Sequence, residues 1–186
     1  MSGVDVAHVI RRFVREDRPA MATFAAALPE HDLLFLGRDL RHARVVEAWL
    51  DAIDEGWIDG LVAERAGGIC GAAALVRDPL GWSAHVGELR LLVAPELRGR
   101  GLGRDLVQAT LSIAAERGLE KVSASLTPDQ TGSVALLESV GFRAEALLRR
   151  QVRGRDGVDH DLAVLSLDFG RAAARQHAYG LDEEPA

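Results

Sequence analysis

The sequence predicts a mixed α/β fold, and three observations carry that expectation. Short β-branched or alternating runs interleave with segments whose apolar residues recur at helical spacing. Two glycine-containing turns, Ala66-Gly67-Gly68 and Gly154–Val158, each stand between two strand-like runs and mark hairpins. A glycine-rich loop, Arg98–Gly103, joins a strand-like run to a helical one, as in a strand–loop–helix unit.

In chain order, the β-branched run His8–Val14 reads as a first strand. Glu16, Asp17 and Pro19 then signal a helix start ahead of Met21–Leu28. Pro29–Arg38 reads as a loop. Asp39 is placed to cap a second helix, in which Val45, Val46, Trp49, Leu50 and Ile53 fall at helical spacing. Trp57–Glu64 and Ile69–Val76 form the first hairpin, Asp78-Pro79-Leu80-Gly81 is a turn, and Ser83–Val93 a longer strand. The helix expected from about Gly101 to Arg117 sets Asp105, Gln108, Ser112 and Glu116 opposite Leu102, Leu106, Ala109 and Ile113. Val122–Leu126 is a strand. Ser133–Val140 is a short helix closed by Gly141, and Phe142–Arg153 with Asp159–Phe169 is the last hairpin. The resulting order is β-α-α-β-β-β-α-β-α-β-β. Residues 1–169 are expected to form one domain, followed by a polar tail over 170–186 that frays.

Composition excludes several functional classes. An apolar fraction of 48% in 186 residues suits one ordinary globular core. The balance of 22 Lys+Arg against 28 Asp+Glu, net −6, opposes general binding to nucleic acid. Cys70 is the only cysteine, which excludes an intrachain disulfide and a cysteine zinc site, and no metal is expected. Met1–Arg12 has no apolar signal region and no apolar run approaches a membrane span, so a soluble, cytoplasmic protein is expected. Lys121 is the only lysine, and asparagine is absent.

The chemistry concentrates at Arg98-Gly99-Arg100-Gly101-Leu102-Gly103. Glycines let the backbone turn its N–H groups inward, the following helix presents its positive end, and Arg98, Arg100 and Arg104 add full charges. A diphosphate is the natural guest. The two common nucleotide loops fail here. G-x-G-x-x-G meets Arg104 or Leu106 at its last position, and a Walker loop needs a lysine that only position 121 supplies.

Glu88–Leu106, ELRLLVAPELRGRGLGRDL, resembles the acetyl-CoA signature of the GNAT N-acetyltransferases. That signature is Arg/Gln-x-x-Gly-x-Gly/Ala after a Val-x-Pro strand end, here Arg98, Gly101, Gly103, Val93 and Pro95. The resemblance extends from about Val9 to Phe169 and includes Gly141-Phe142 after the short helix. It implies the GNAT fold: a mixed central sheet of about seven strands, splayed between strands four and five, with about four helices. It also implies that acetyl-CoA is the co-substrate. The pantetheine arm would lie in the wedge against the backbone of Leu91, Leu92 and Val93, and the pyrophosphate on the amides of Arg98, Gly99, Arg100, Gly101, Leu102 and Gly103. The Val93 N–H would then polarise the thioester carbonyl.

A second family pattern, Asn-x-x-Ala-x-x-x-Tyr-x-x-x-Gly-Phe, is met only in part. Gln130 stands at the asparagine, Ser133 at the alanine and Leu137 at the tyrosine. Gln130 keeps an amide for the pantetheine arm. Leu137 cannot protonate the departing thiolate, Tyr179 lies in the tail, and Ser133 is either a stand-in acid or plain helix polarity. The general acid is therefore unassigned. For the base, Glu88 lies mid-strand on the face of Arg90 and Leu92, at a spacing to the loop that resembles the catalytic glutamate of bacterial protein-lysine acetyltransferases. It is either that base or an ion-pair partner, with Arg90 or with a neighbouring strand. His85, on the same strand, reads as packed or surface, and Cys70 as a small buried hydrophobe. Arg143, Arg149, Arg150, Arg153 and Arg155 read as a solvated hairpin paired with Asp156, Asp159 and Asp161. Trp49, Trp57 and Trp82 read as packing.

The expected function is transfer of an acetyl group to a primary amine by direct attack in a ternary complex. The acceptor is a small-molecule amine, with a protein lysine or N-terminus as the alternative, and it is read by Pro29–Arg38 and Gly154–Val158. A catalytically weak acyl-CoA sensor is the competing class. The resemblance makes a homodimer the expected assembly.

Overall fold

Chain direction in the sheet follows from how its strands are connected. The computed structural model describes residues 8–170, so the tail from 171 onward, with Tyr179, lies outside the described residues. Its strands are β1 (Val9–Arg12), β2 (Ile58–Arg65), β3 (Gly68–Arg77), β4 (Val86–Val93), β5 (Lys121–Leu126), β6 (Arg143–Arg153) and β7 (Asp159–Asp168). Its α-helices are α1 (Arg18–Ala27), α2 (Ala43–Asp54), α3 (Leu102–Glu116) and α4 (Thr131–Ser139). The order is the one read from the sequence. The sheet runs β1-β2-β3-β4-β5-β7-β6. Hairpins make β2–β3 and β6–β7 antiparallel, whereas α3 carries the chain back over the sheet so that β5 lies parallel to β4.

The β2–β3 turn places Ala66 at φ 50° and Gly67 at φ 78°, the paired left-handed conformation that suits a two-residue hairpin. Alternation along the strands then fills two cores. On one face, α3 buries Leu102, Leu106, Val107 and Ile113 with Leu61, Leu75, Leu89, Val122, Phe142 and Leu165. On the other, Phe24 of α1 and Val46 and Leu50 of α2 pack with Phe13, Val62, Ala72 and Leu92. The small residues of β3 let α3 sit close: a β-carbon on Gly71 would fall 2.9 Å from the Leu106 side chain.

The sheet forks in the middle. β4 and β5 pair only over Val86–Leu89 and Lys121–Ala124. Beyond that point Arg90–Val93 stay with β3, while Ser125 and Leu126 stay with β7. Leu91 and Val93 therefore have no β5 partner on that edge.

Four local expectations are corrected. Within Pro29–Arg38, Glu30–Leu36 forms a 3-10 segment whose Leu33 and Leu36 are buried three residues apart, one turn of that helix. Asp39 does not cap α2, which starts after His42 with no side-chain cap. Its carboxylate instead accepts from the Arg41 backbone and guanidinium at 3.0 and 2.9 Å. The strand read from Ser83 begins at Val86, because successive turns occupy the residues before it (Gly81 N to Asp78 O, Ala84 N to Gly81 O, Val86 N to Ser83 O), and His85 is off the strand. Of the tryptophans, Trp49 packs on the second core, but Trp57 is exposed and Trp82 fully so.

Candidate active site

The fork opens into a cavity of about 640 Å³, at the carboxyl ends of the parallel pair β4 and β5. Open α/β sheets bind ligands at such a position. One wall is β4, with Leu91, Leu92 and Val93, and the other is the β5 end with Ser125 and Leu126 followed by α4. The floor is the glycine loop, through Gly99, Gly101, Gly103 and Arg104. Gly99 (φ 70°) and Gly101 (φ 92°) hold the left-handed conformation that turns the chain into α3, and no atom stands within 4 Å of a β-carbon at either. Gly103 is closely approached: a β-carbon there would lie 3.0 Å from the end of the Leu136 side chain and 3.7 Å from Val93. The first turn of α3 leaves its N–H groups without intrahelical partners, directed at the loop.

The roof is the 3-10 segment Glu30–Leu36, which contributes Asp32 and Phe35. It is tied down on three sides. Asp32, 9% exposed, accepts from Arg98 Nη2 at 2.5 Å and from Gln130 Nε2 at 3.4 Å. His31 Nε2 lies 2.9 Å from Asp129 Oδ2 and 3.0 Å from Thr127 Oγ1, with the His160 ring edge-on at 5.2 Å. Glu30 accepts from the Arg155 backbone at 2.7 Å and from Arg41 at 3.1 Å, and Arg155 reaches Asp39 at 2.6 Å. The two segments expected to read the acceptor, around Pro29–Arg38 and Gly154–Val158, are thereby clamped together. Charge at the roof is held in its ionised form. Hydrogen bonds from Arg41 outweigh burial and hold Asp39 at a pKa of about 2. Burial pushes Asp129 up, but hydrogen bonds from Thr127 and His31, with the histidine's charge, hold it below the usual carboxylate range.

The match of residues 24–142 to the model of the Acetyltransferase (GNAT) family covers most of the chain. The chain belongs to the GNAT acetyltransferase family. A mycothiol acetyltransferase from Thermobispora bispora is 37% identical over 94 residues, covering 47% of this chain and 32% of that protein. An L-2,4-diaminobutyric acid acetyltransferase from Nocardia farcinica is 34% identical over 62 residues, 33% of this chain and 32% of the other. The match thus spans about a third of the length of these curated relatives. In fold, yncA from Salmonella typhimurium, solved with its cofactor acetyl-CoA, superposes with a TM-score of 0.73 at 22% identity over 97% of both chains.

Within this GNAT frame, most of the residues singled out from the sequence converge on the cavity. Leu91, Leu92, Val93, Arg98, Gly99, Gly101, Gly103, Arg104, Gln130 and Ser133 line it. Arg100 and Leu102 do not: Arg100 is exposed, and the Leu102 side chain is core, 2% exposed, so only its backbone faces the loop. Arg98 is less available to an anion than its motif suggests. Besides Asp32 it binds the Val93 carbonyl through Nε and Nη2, both at 3.2 Å. Arg104 binds Ser139 Oγ at 2.9 Å. Leu137, at the family's tyrosine position, is buried in the cavity wall.

Glu88 is not among the residues that line the cavity. Both of its oxygens accept from Arg90, Nε and Nη2 at 3.1 Å, and the Arg90 guanidinium lies over the Trp49 ring at 5.8 Å. This is the ion-pair alternative. Cys70 is buried with its thiol on the Ala63 carbonyl, and burial pushes its pKa up, as for an inert thiol. In the last hairpin the expected pairing holds only in part: Arg153 pairs with Asp159 and the Arg150 backbone N–H with Asp161, but Arg155 pairs with Glu30 and Asp39 and Arg143 with the Glu138 and Phe142 carbonyls.

Sequence reading missed His31, Asp32, Thr127 and Asp129. The available signal was the run Thr127-Pro128-Asp129-Gln130 immediately after a strand that follows a crossover helix, where polar side chains meet a ligand.

Proposed function

We propose that the chain is an N-acetyltransferase that moves the acetyl group of acetyl-CoA directly onto the primary amine of a small molecule, with both substrates bound together. The observation that carries this reading is the fork itself. It leaves the Leu91 backbone and the Val93 N–H without a β5 partner and open to an amide-bearing arm, directly above a loop whose glycines and helix N-terminus suit a diphosphate. The Gln130 amide faces the same space from the opposite wall. The Val93 N–H, at the fork, would hold the thioester oxygen as it gains charge. With Arg98 committed to Val93 and Asp32, the loop amides and Arg104 are the groups left for the pyrophosphate.

The small-molecule acceptor is supported by the roof. Asp129, tied to it through His31, offers a carboxylate suited to a protonated amine, whereas Asp32 is already paired with Arg98. Glu88, bound by Arg90, enters this reading as a residue to test and not as an assigned base.

Two measurements test the reading. Acetyl-CoA at millimolar concentration should raise the melting temperature by mass action on the folded state. Thiol release measured across polyamines, amino acids, amino sugars and lysine peptides should show turnover confined to small amines. No thermal shift refutes the acetyl-CoA site. A shift without turnover of any amine identifies an acyl-CoA sensor, and turnover of lysine peptides alone refutes the acceptor class.

A further inference from the structure

Beside the cavity, though not among the residues that line it, stands a histidine with the bonding pattern of a proton acceptor. His31 Nε2 stands 2.9 Å from Asp129 Oδ2, and an ionised carboxylate can only accept. Nε2 therefore carries its hydrogen, and in the neutral ring the lone pair lies on Nδ1. Thr127, 1% exposed, donates its hydroxyl to Asp129 and offers its oxygen to Nε2 at 3.0 Å, so the carboxylate is fixed from its other side. Nδ1 has no hydrogen-bond partner among the described residues. The residues around His31 line the cavity: the next residue, Asp32, from the roof, and its partner Asp129 with Gln130 from the β5–α4 side. Two rungs, His31 to Asp129 and Asp32 to Gln130, bridge the mouth side by side.

We propose that His31, oriented by Asp129 and Thr127, takes the proton from the acceptor ammonium. The assignment rests on the acetyl transfer proposed above. An alkylammonium has no lone pair and cannot attack. Transfer of one N–H proton to His31 Nδ1 frees that pair, the C–N bond forms at the thioester carbon, and the C–S bond breaks. The second amine proton leaves with the sulfur as thiol, and His31, a third exposed, returns its proton to solvent. The charged and titratable groups around the ring suit this task. Asp129 faces it from the β5–α4 connection and His160 from β7. On its own segment, Asp32 is engaged by Arg98 and Glu30 by Arg41 and Arg155. Asp129 is the nearest negative charge not already matched by an arginine, and it stabilises the imidazolium.

The test compares wild type, His31→Ala and Asp129→Asn with acetyl-CoA and three acceptors, L-2,4-diaminobutyrate, spermidine and methoxyamine. Methoxyamine is uncharged at neutral pH and needs no base before attack. At pH 7, His31→Ala should lower kcat/KM for the two alkylamines by roughly 10²–10⁴-fold, the range for a lost general base. The deficit should narrow as rising pH supplies free amine, and added imidazole should restore part of the rate. With methoxyamine the loss should stay under about tenfold. Asp129→Asn can present an N–H to Nε2 and favour the wrong tautomer, so it should show the same selective loss. An unchanged acetyl-CoA-dependent rise in melting temperature marks the variants as folded with the loop intact. Equal losses for all three amines, no response to imidazole, or full activity of His31→Ala each overturn the assignment while leaving the acetyltransferase reading in place. A wild-type protein that binds acetyl-CoA and acetylates none of the three, nor any amine of the wider panel above, refutes both.

Discussion

Replacing Gly101 by alanine isolates the backbone contribution to the loop. The residue sits at φ 92°, ψ −21°, and a β-carbon there would meet nothing within 4 Å. The cost is thus conformational, about 1–2 kcal/mol for a side chain in the left-handed region. The protein can absorb it in two ways. If the loop keeps its shape, the fold loses that energy and the melting temperature falls by about 2–4 °C per kcal/mol for a chain of this size. If the loop relaxes, stability is retained but the N–H groups entering α3 turn away, and acetyl-CoA binds about 5–30-fold more weakly, the same 1–2 kcal/mol expressed as affinity. Calorimetric titration with acetyl-CoA and thermal melts on the same samples measure both, and the two losses should sum to about 1–2 kcal/mol. Gly101→Asn should recover much of the loss, since asparagine tolerates positive φ.

Gly103→Ala provides the contrast. Its backbone is ordinary, and alanine gains up to about 1 kcal/mol of helix propensity over glycine. Its new methyl would crowd Leu136 at 3.0 Å from inside the cavity. Stability should hold while affinity falls. The reasoning is refuted if Gly101→Ala leaves both melting temperature and affinity unchanged, or if asparagine is as damaging as alanine.

Three further outcomes follow from ion pairs. Glu88→Gln should change kcat only severalfold, because Arg90 already holds both oxygens, whereas a loss of about 10²–10⁴-fold in a pH-rate study would make Glu88 the base. Asp59 is 4% exposed and faces Arg12 at 2.8 Å, Arg117 at 2.7 Å and Arg77 at 3.2 Å, tying β1, β2, β3 and the end of α3. Burial alone would raise its pKa, but Arg117 and Arg12 outweigh that and keep it charged. Asp59→Ala leaves Arg77, 12% exposed, without its carboxylate, whereas Arg12 and Arg117 are half exposed and turn to water, so it should cost about 1–3 kcal/mol in urea unfolding, against little for a surface carboxylate. Asp39 titrates at about 2 in the fold against 3.8 when free, so its stabilisation is complete above about pH 5 and lost as pH falls from near 4 to near 2. Carbon NMR titration of that carboxyl should show the low midpoint, and a value near 3.8 would show that the Arg41 clamp does not form in solution.

Local pattern carried the element types because each core face repeats along the chain. Leu102, Leu106 and Ile113 mark α3, and the alternation of Leu61 and Ala63 with Val62 marks β2, whatever the distant parts of the chain do. The loop was legible for the same reason: positive φ at Gly99 and Gly101 is a property of those residues and their neighbours. Reading failed where a contact spans the chain. Arg98 reads as a free cation until Asp32, 66 positions away, arrives beside it, and His31 reads as nothing until Asp129, 98 positions away, orients it. Glu30–Leu36 failed for a third reason. Pro29 and Gly37 punctuate it as a loop, and a seven-residue segment is too short for the spacing of Leu33 and Leu36 to establish a helical period.

That segment explains why the two halves of the site belong together. A forked sheet exposes unpaired backbone along β4 and leaves a cavity with apolar walls, so something must cover the acceptor side without filling it. A full helix would present a broad face and close the mouth, whereas two turns of 3-10 helix bury Leu33 and Leu36 in the second core and leave Asp32 and Phe35 on the cavity. The same two turns bring His31 to Asp129, Asp32 to Arg98 and Glu30 to Arg155, so one short element touches the β5–α4 wall, the glycine loop and the last hairpin. Arg98 is the hinge of this arrangement. Its ties to the Val93 carbonyl and to Asp32 couple the loop that would hold the cofactor to the roof that would read the amine.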